Sequence, residues 1–455
     1  MLRQKKPQNR PKQTPAQIVL VLIGTLVTYL LVTGCVFYAL HACWQWQYSR
    51  ELGEIRRRGE PVTPADLRKP PIPESQNAAP MILEALRKLD DQLTRDDTER
   101  LIDIASGALT GPEAARQAGA IVGPQRWRIP LVREALRRPL CRFPVDWESG
   151  MDASFTHASL LRRMSYVLLA EAVRHSEQGR QGDAMELLSL QFDAAQSLAR
   201  EPGMISQLCR YGMLQNGTRT LRAIVARHRP PDANQGGRSE QLKEIDLADS
   251  VRTGSLGERV MGIVECEQFA RELTGDASGA ANGQRFPTTG SIMTGAWLHM
   301  SKLKYLRHAQ WVLSQSRVPY RNIKPEDLKR LDDVEYGLTN FFVATLSPWW
   351  GMAASSRDTT IADLNQAIIA IDLELYRRQH GGLPKALEDL RVTDPTIRLE
   401  DPFSGKPMRY QKTSGGYRMW SIGQNLRDDG GKPGKQREEG DIVWEVNLES
   451  GSSPE

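Results

Sequence analysis

Ile18 to Leu40 is a run of 23 residues without a charge, and no other feature limits the possible folds of this chain so strongly. At 1.5 Å per residue a helix of that length crosses a hydrocarbon core of about 30 Å. The run is too long for the apolar part of a cleaved signal peptide, which normally spans about 7–15 residues. A buried helix of a soluble domain would not need so unbroken a stretch. Trp44, Trp46 and Tyr48 follow, the aromatic type that settles at a membrane–water interface. The sequence therefore predicts a single transmembrane helix with an interfacial edge over residues 18–48.

Charge places the rest. The net charge is +5 over 455 residues, yet Arg3, Lys5, Lys6, Arg10 and Lys12 precede the apolar run with no acid among them. The remainder is close to neutral and lacks the spread basic face of a nucleic-acid binder. Arg50, Arg56, Arg57 and Arg58 follow the run. Five cations before and four after favour a cytoplasmic N-terminus and an exported body by one charge. Val32 to Cys35 has the outline of a lipoprotein cleavage box, but apolar sequence continues past Cys35, which leaves lipidation open. Cys141, Cys209 and Cys266 are an odd, widely spaced set, neither a disulfide framework nor a zinc site.

Residues 1–17 thus read as a basic tail and 49–76 as a stalk and linker. Five prolines in Pro61 to Pro73 fix φ and remove donors, favouring an extended connector. Helical periodicity begins near Asn77 and defines a body over 77–350. Its clearest part is a hairpin, with Leu160, Leu161, Met164, Val167, Leu168 and Ala172 before "EQGRQGD" and Ala184, Leu187, Leu188, Ala194 and Leu198 after it. This pair resembles one tetratricopeptide hairpin, without a fixed repeat. A third helix is expected from Met204. Loops are expected at Arg229–Glu240 and Thr274–Ser291, and a buried segment at Phe341–Met352. Ile361, Leu364, Ile368, Ile371 and Leu375 form one apolar stripe on a helix that Gly381-Gly382 ends. "PMRYQKT" and "YRMWSIG" read as a hairpin, and "DIVWEV" as a further strand. The expected fold is mainly α with a small α+β module over 357–447 and a tail over 448–455.

The order helix, "YRRQHGGLP", "DPFSGKPMRY", "YRMWSIGQN", acidic glycine loop and "DIVW" resembles the globular part of type II secretion major pseudopilins, over Ile361 to Trp444. The chain lacks that family's Gly-Phe-Thr-Leu-x-Glu leader, and some 320 residues separate its apolar run from the matching helix. As a whole it resembles a group of large membrane-anchored bacterial envelope proteins. The pseudopilin resemblance implies a structural calcium in the acidic loop. Ser421 falls at the family's serine, Asn425 where an aspartate is usual, and Asp441 at the closing aspartate. Asp428 and Asp429 lie in an insertion, near Glu438 and Glu439. A solvated turn uses the same residue types for local hydrogen bonds and positive φ.

No catalytic signature emerges. Gly405-Lys406 lacks the earlier glycine of a phosphate loop, Thr253–Gly257 lacks the first glycine of a nucleophile elbow, and the seven histidines include no HExxH pair. Arg137-Arg138 and Arg162-Arg163 read as solvated helix faces. Asp146, Glu148, Asp152 and His157 crowd one stretch and could serve acid–base chemistry. The expected role is a single-pass, membrane-anchored envelope binding or scaffold protein beside a secretion or pilus-like assembly. Its expected partners are the lipid bilayer and envelope proteins rather than nucleic acid. The alternative is an envelope hydrolase whose cleft joins Asp146 or Glu148 to His157.

Overall fold

The computed structural model describes residues 14–228, 235–274, 289–332, 337, 340–346, 350–434 and 439–447. The tail before Thr14, the residues after Asn447, Glu438 and much of the loops expected at 229–240 and 274–291 lie outside them.

The helices are α1 (Pro15–Arg57), α2 (Pro64–Leu67), α3 (Ala79–Leu86), α4 (Leu89–Gln92), α5 (Arg95–Ser106), α6 (Gly111–Val122), α7 (Arg128–Ala135), α8 (Thr156–Glu177), α9 (Gln181–Gln196) and α10 (Met204–His228). They continue with α11 (Gln235–Lys243), α12 (Ser250–Thr274), α13 (Thr289–Gln315), α14 (Pro325–Asp332), α15 (Phe341–Leu346) and α16 (Trp350–His380). β1 (Arg409–Lys412), β2 (Gly416–Ser421) and β3 (Ile442–Asn447) form one antiparallel sheet in that order. Among the described residues the fold is mainly helical, with one long apolar N-terminal helix and this small sheet.

The helical hairpin expected near residue 180 is α8 and α9, and α10 packs against both. α8 lies in the middle of the body, so every residue from Met164 to Val173 is buried. That run includes Glu171, which is retained by Arg126 at 3.0 Å and Arg174 at 2.6 Å.

α16 departs further from the expected single stripe. It starts eleven residues before Ile361 and is buried on nearly all sides between Ala353 and Glu374. Its polar residues bond neighbouring backbone. Asp358 accepts from the Tyr320 amide at 2.7 Å, while Asn365 and Gln366 donate to the carbonyls of Glu400 at 2.9 Å and Ile442 at 2.6 Å. Arg222 of α10 donates to the Val443 carbonyl at 2.7 Å. The sheet therefore rests on α10 and α16. One apolar cluster runs from Leu67 through the helical body to Val446, so the 357–447 module shares its interior with the body.

The segment expected as a stalk and extended connector is docked instead. Ile55 and Val62 are buried in a second cluster with Ile263, Tyr305, Leu306 and Phe342. Glu60 pairs with Arg252 at 2.6 Å and with the fully buried Arg259 at 2.7 Å. Asp66 accepts from the amides of Val62 and Thr63, both at 2.9 Å, and so fixes the turn into α2. Arg138 donates to the carbonyls of Glu74 and Asn77, and Arg142 to that of Lys69 at 3.2 Å. Proline removed the donors of this stretch, but its carbonyls remain, and arginines of the body bind them.

Close approach between elements depends on a glycine. A Cβ at Gly257 of α12 would stand 1.4 Å from the carbonyl oxygen of Pro202. Only glycine lets α12 cross the turn before α10 at that distance.

Candidate functional site

The acidic loop joins β2 to β3. Ser421, the last residue of β2, is fully buried and donates from Oγ to Oδ1 of Asp401 at 2.6 Å. Asp401 is buried too, and it also accepts from the amides of Phe403 at 3.0 Å and Ile422 at 3.3 Å. Ser421 therefore ties the "DPFSG" turn to the sheet.

The other four expected ligands divide into two sets. Asp428 turns back over the sheet edge, where it accepts from the Trp420 indole at 3.0 Å and pairs with Arg409 at 2.9 Å. The indole and the guanidinium together outweigh burial and hold its carboxyl below the usual range. Asn425, Asp429 and Asp441 meet in the loop itself. The Asn425 amide donates to Asp429 at 2.9 Å and to the Glu439 carbonyl at 3.1 Å. Asp441 is buried and accepts from the amides of Asp429 at 3.3 Å and Gly431 at 2.7 Å. Burial raises its carboxyl above the usual range, with the charges of Asp428 and Asp429 adding to the rise against these two amides.

Calcium requires six to eight oxygen ligands converging at about 2.3–2.6 Å. Here the oxygens of Asp428 and Asp441 face N–H donors, and Ser421 is committed to Asp401. Among the described residues no group of three His, Cys, Asp or Glu side chains could hold a metal ion. As arranged, these residues do not fit a calcium cage; they cap the backbone of their own turn.

A cleft of about 850 Å³ lies between the docked proline segment and the end of α9. One wall is Leu67 to Ile72, the other Asp193 to Pro202, and the Leu136–Trp147 stretch closes the floor. Arg68, Lys69 and Arg200 stand exposed on its rim, with Arg68 paired to Glu148 at 2.7 Å. Cys141 and Glu201 lie inside. Burial, reinforced by the Glu201 carboxylate, pushes the Cys141 thiol up to about 12, so at neutral pH it is a weak hydrogen-bond donor rather than a thiolate.

The acidic stretch beside this cleft does not converge. Asp146 caps its own turn, accepting from the Glu148 amide at 3.2 Å and the Ser149 hydroxyl at 2.7 Å. Asp152 is exposed at the end of that turn. His157 points inward, bonded to Glu201 at 2.8 Å and stacked on Phe143 at 4.4 Å between ring centroids. The Ser206 hydroxyl donates to the same carboxylate. Sequence reading named neither Asp401 nor Glu201. An aspartate before proline signalled the first as a turn residue, whereas the second carries no local pattern.

The remaining feature is α1 itself. It runs unbroken for 43 residues. Most of its large apolar side chains from Ile18 to Tyr38 are exposed, whereas Tyr48 and Ile55 are buried against α12 and α13. Tyr48 donates to Glu267 at 3.4 Å, Arg307 of α13 to Gln47 at 3.0 Å, and Arg58 to Gln310 at 3.0 Å. No protein-family model, curated protein or solved structure matches this chain.

Proposed function

We propose that this chain is a single-pass, membrane-anchored binding or scaffold protein of the bacterial cell envelope, working beside a type II secretion or pilus-like assembly. The observation that carries the reading is the division of α1. Its first half exposes an apolar surface that water disfavours over so long a stretch. Its second half is gripped by the body. The cleft supports the binding role, because an open groove with Arg68, Lys69 and Arg200 at its rim suits an acidic segment of an envelope partner. A long helix followed by a hairpin, an acidic loop and a closing strand supports the kinship with major pseudopilins. In this reading the N-terminus is cytoplasmic and the body is exported.

The test is extraction of bacterial membranes carrying the full chain. Alkaline carbonate should leave the chain in the pellet and detergent should release it. Release of the folded chain by carbonate alone would sink the anchor reading.

A further inference from the structure

α13 runs parallel to α1. His41 meets Gly295 and His299, with 4.8 Å between the two imidazole centroids, and a Cβ at Gly295 would stand 2.9 Å from Nδ1 of His41. Further along, Lys302 lies over the Tyr48 ring, Arg307 bonds Gln47 and Arg58 bonds Gln310. Rising residue numbers on one helix therefore meet rising numbers on the other. At 1.5 Å per residue, Thr289 lies about 9 Å beyond Gly295, level with about residue 35 of α1. That level is inside the uncharged run Ile18 to Leu40.

Two further observations agree. The face of α1 that carries His41, Tyr48 and Ile55 continues to Gly34, seven residues earlier, and Thr33, Gly34, Phe37 and Leu40 are half-buried among exposed neighbours. The first turns of α13 have the composition such a depth requires. No Asp, Glu, Lys or Arg occurs from Thr289 to Ser301. Met293 is 43% exposed, and the cluster of Phe269, Trp297 and Phe341 lies just behind it. Among the described residues the nearest charges, Arg271 and Glu272 near the end of α12 and the Glu267–Lys302 pair, begin about where a headgroup layer would replace hydrocarbon; in the sequence Arg285 lies four residues before Thr289.

We infer that the first two turns of α13 are immersed in the body-side leaflet beside α1, as a second, non-spanning membrane element that seats the body on the bilayer. The occupant of its exposed face is lipid acyl chain. An immersion of about 5–10 Å is the depth at which amphipathic segments rest in a bilayer. This inference rests on the membrane-anchor reading.

The experiment places nitroxide side chains on the full chain in vesicles of phosphatidylethanolamine and phosphatidylglycerol and compares collisions with oxygen and with a nickel chelate. The positions are Met293→Cys, Leu26→Cys within the apolar run and Ile102→Cys on α5. All three side chains are exposed, so their replacement spares the core. Cys35→Ser and Cys43→Ser remove the exposed native thiols; Cys209 and Cys266 are buried, and the half-buried Cys141 stays protonated. The expected result is an oxygen preference at positions 26 and 293 and a several-fold preference for nickel at 102. Oxygen preference at 26 with nickel preference at 293 overturns the inference and leaves the anchor standing. Nickel preference at both positions overturns the two together.

Discussion

At the residue scale, Asp441 shows how a carboxylate caps the backbone of an acidic loop. Its two oxygens receive the backbone amides of Asp429 and of the buried Gly431, the second of which would otherwise be buried without a partner. Asp441→Ala should therefore cost about 1–3 kcal/mol of stability. Thermal unfolding of the full chain should register the same loss in calcium and in chelator. A calcium-dependent gain in melting temperature, absent from the variant, would instead restore the cation reading of Ser421, Asn425, Asp428, Asp429 and Asp441. The composition of this loop was legible in the sequence, because Asp, Asn and Gly mark a turn. Which donors each carboxylate faces was not, since Arg409 and Trp420 reach Asp428 only after the strands pair.

At the scale of elements, two long helices are tied by a carboxylate. Glu258 of α12 accepts from the Met204 amide at 3.1 Å, at the start of α10, and burial raises its carboxyl to about 7. A folded pKa raised above the unfolded value favours the protonated form in the fold. The associated stability is fully present below about pH 4.5 and is lost as pH rises through 7. Glu258→Gln keeps an acceptor for the amide but cannot ionise. Urea unfolding should show the wild type losing on the order of 3 kcal/mol relative to this variant between pH 4.5 and 8. Parallel pH profiles would refute the assignment. Several elements were readable beforehand: α8 and α9 from their apolar spacing, the end of α16 from Gly381-Gly382, and the β1–β2 hairpin from its serine and glycines. The start of α16 and its burial were not. Asp358, Asn365 and Gln366 look like a solvent face in a hydropathy pattern, and only the neighbouring carbonyls and amides reveal that they are interior clamps.

At the scale of the whole molecule, the long apolar N-terminal helix was evident in 23 uncharged residues, whereas the docking of the segment that follows it was hidden. Glu60 lies some 190 residues from Arg252 and Arg259 in the sequence, and no local pattern announces such a pairing. Burial opposes ionisation of Glu60, but the two guanidiniums outweigh it and hold its carboxyl below the usual range. Glu60→Ala would leave Arg259 buried without its anion, at a cost of about 3 kcal/mol. Chemical unfolding should show that loss at pH 7 and a smaller one as the pH falls through the depressed folded pKa, where the wild-type pair is itself lost. An unchanged midpoint at pH 7 would count against a docked connector. The continuity of α1 has a mechanical consequence. A helix about 65 Å long, clamped at one end and free of any joint, is a shaft. Under the anchor proposal, bilayers of different thickness set different tilts on the helix, and a shaft passes that tilt to the body without loss. One residue inserted between Leu40 and Trp44 would turn the two ends by about 100° relative to each other. The bearing of the cleft over the membrane would then be a matter of torsion, set by counting residues rather than by the slack of a tether.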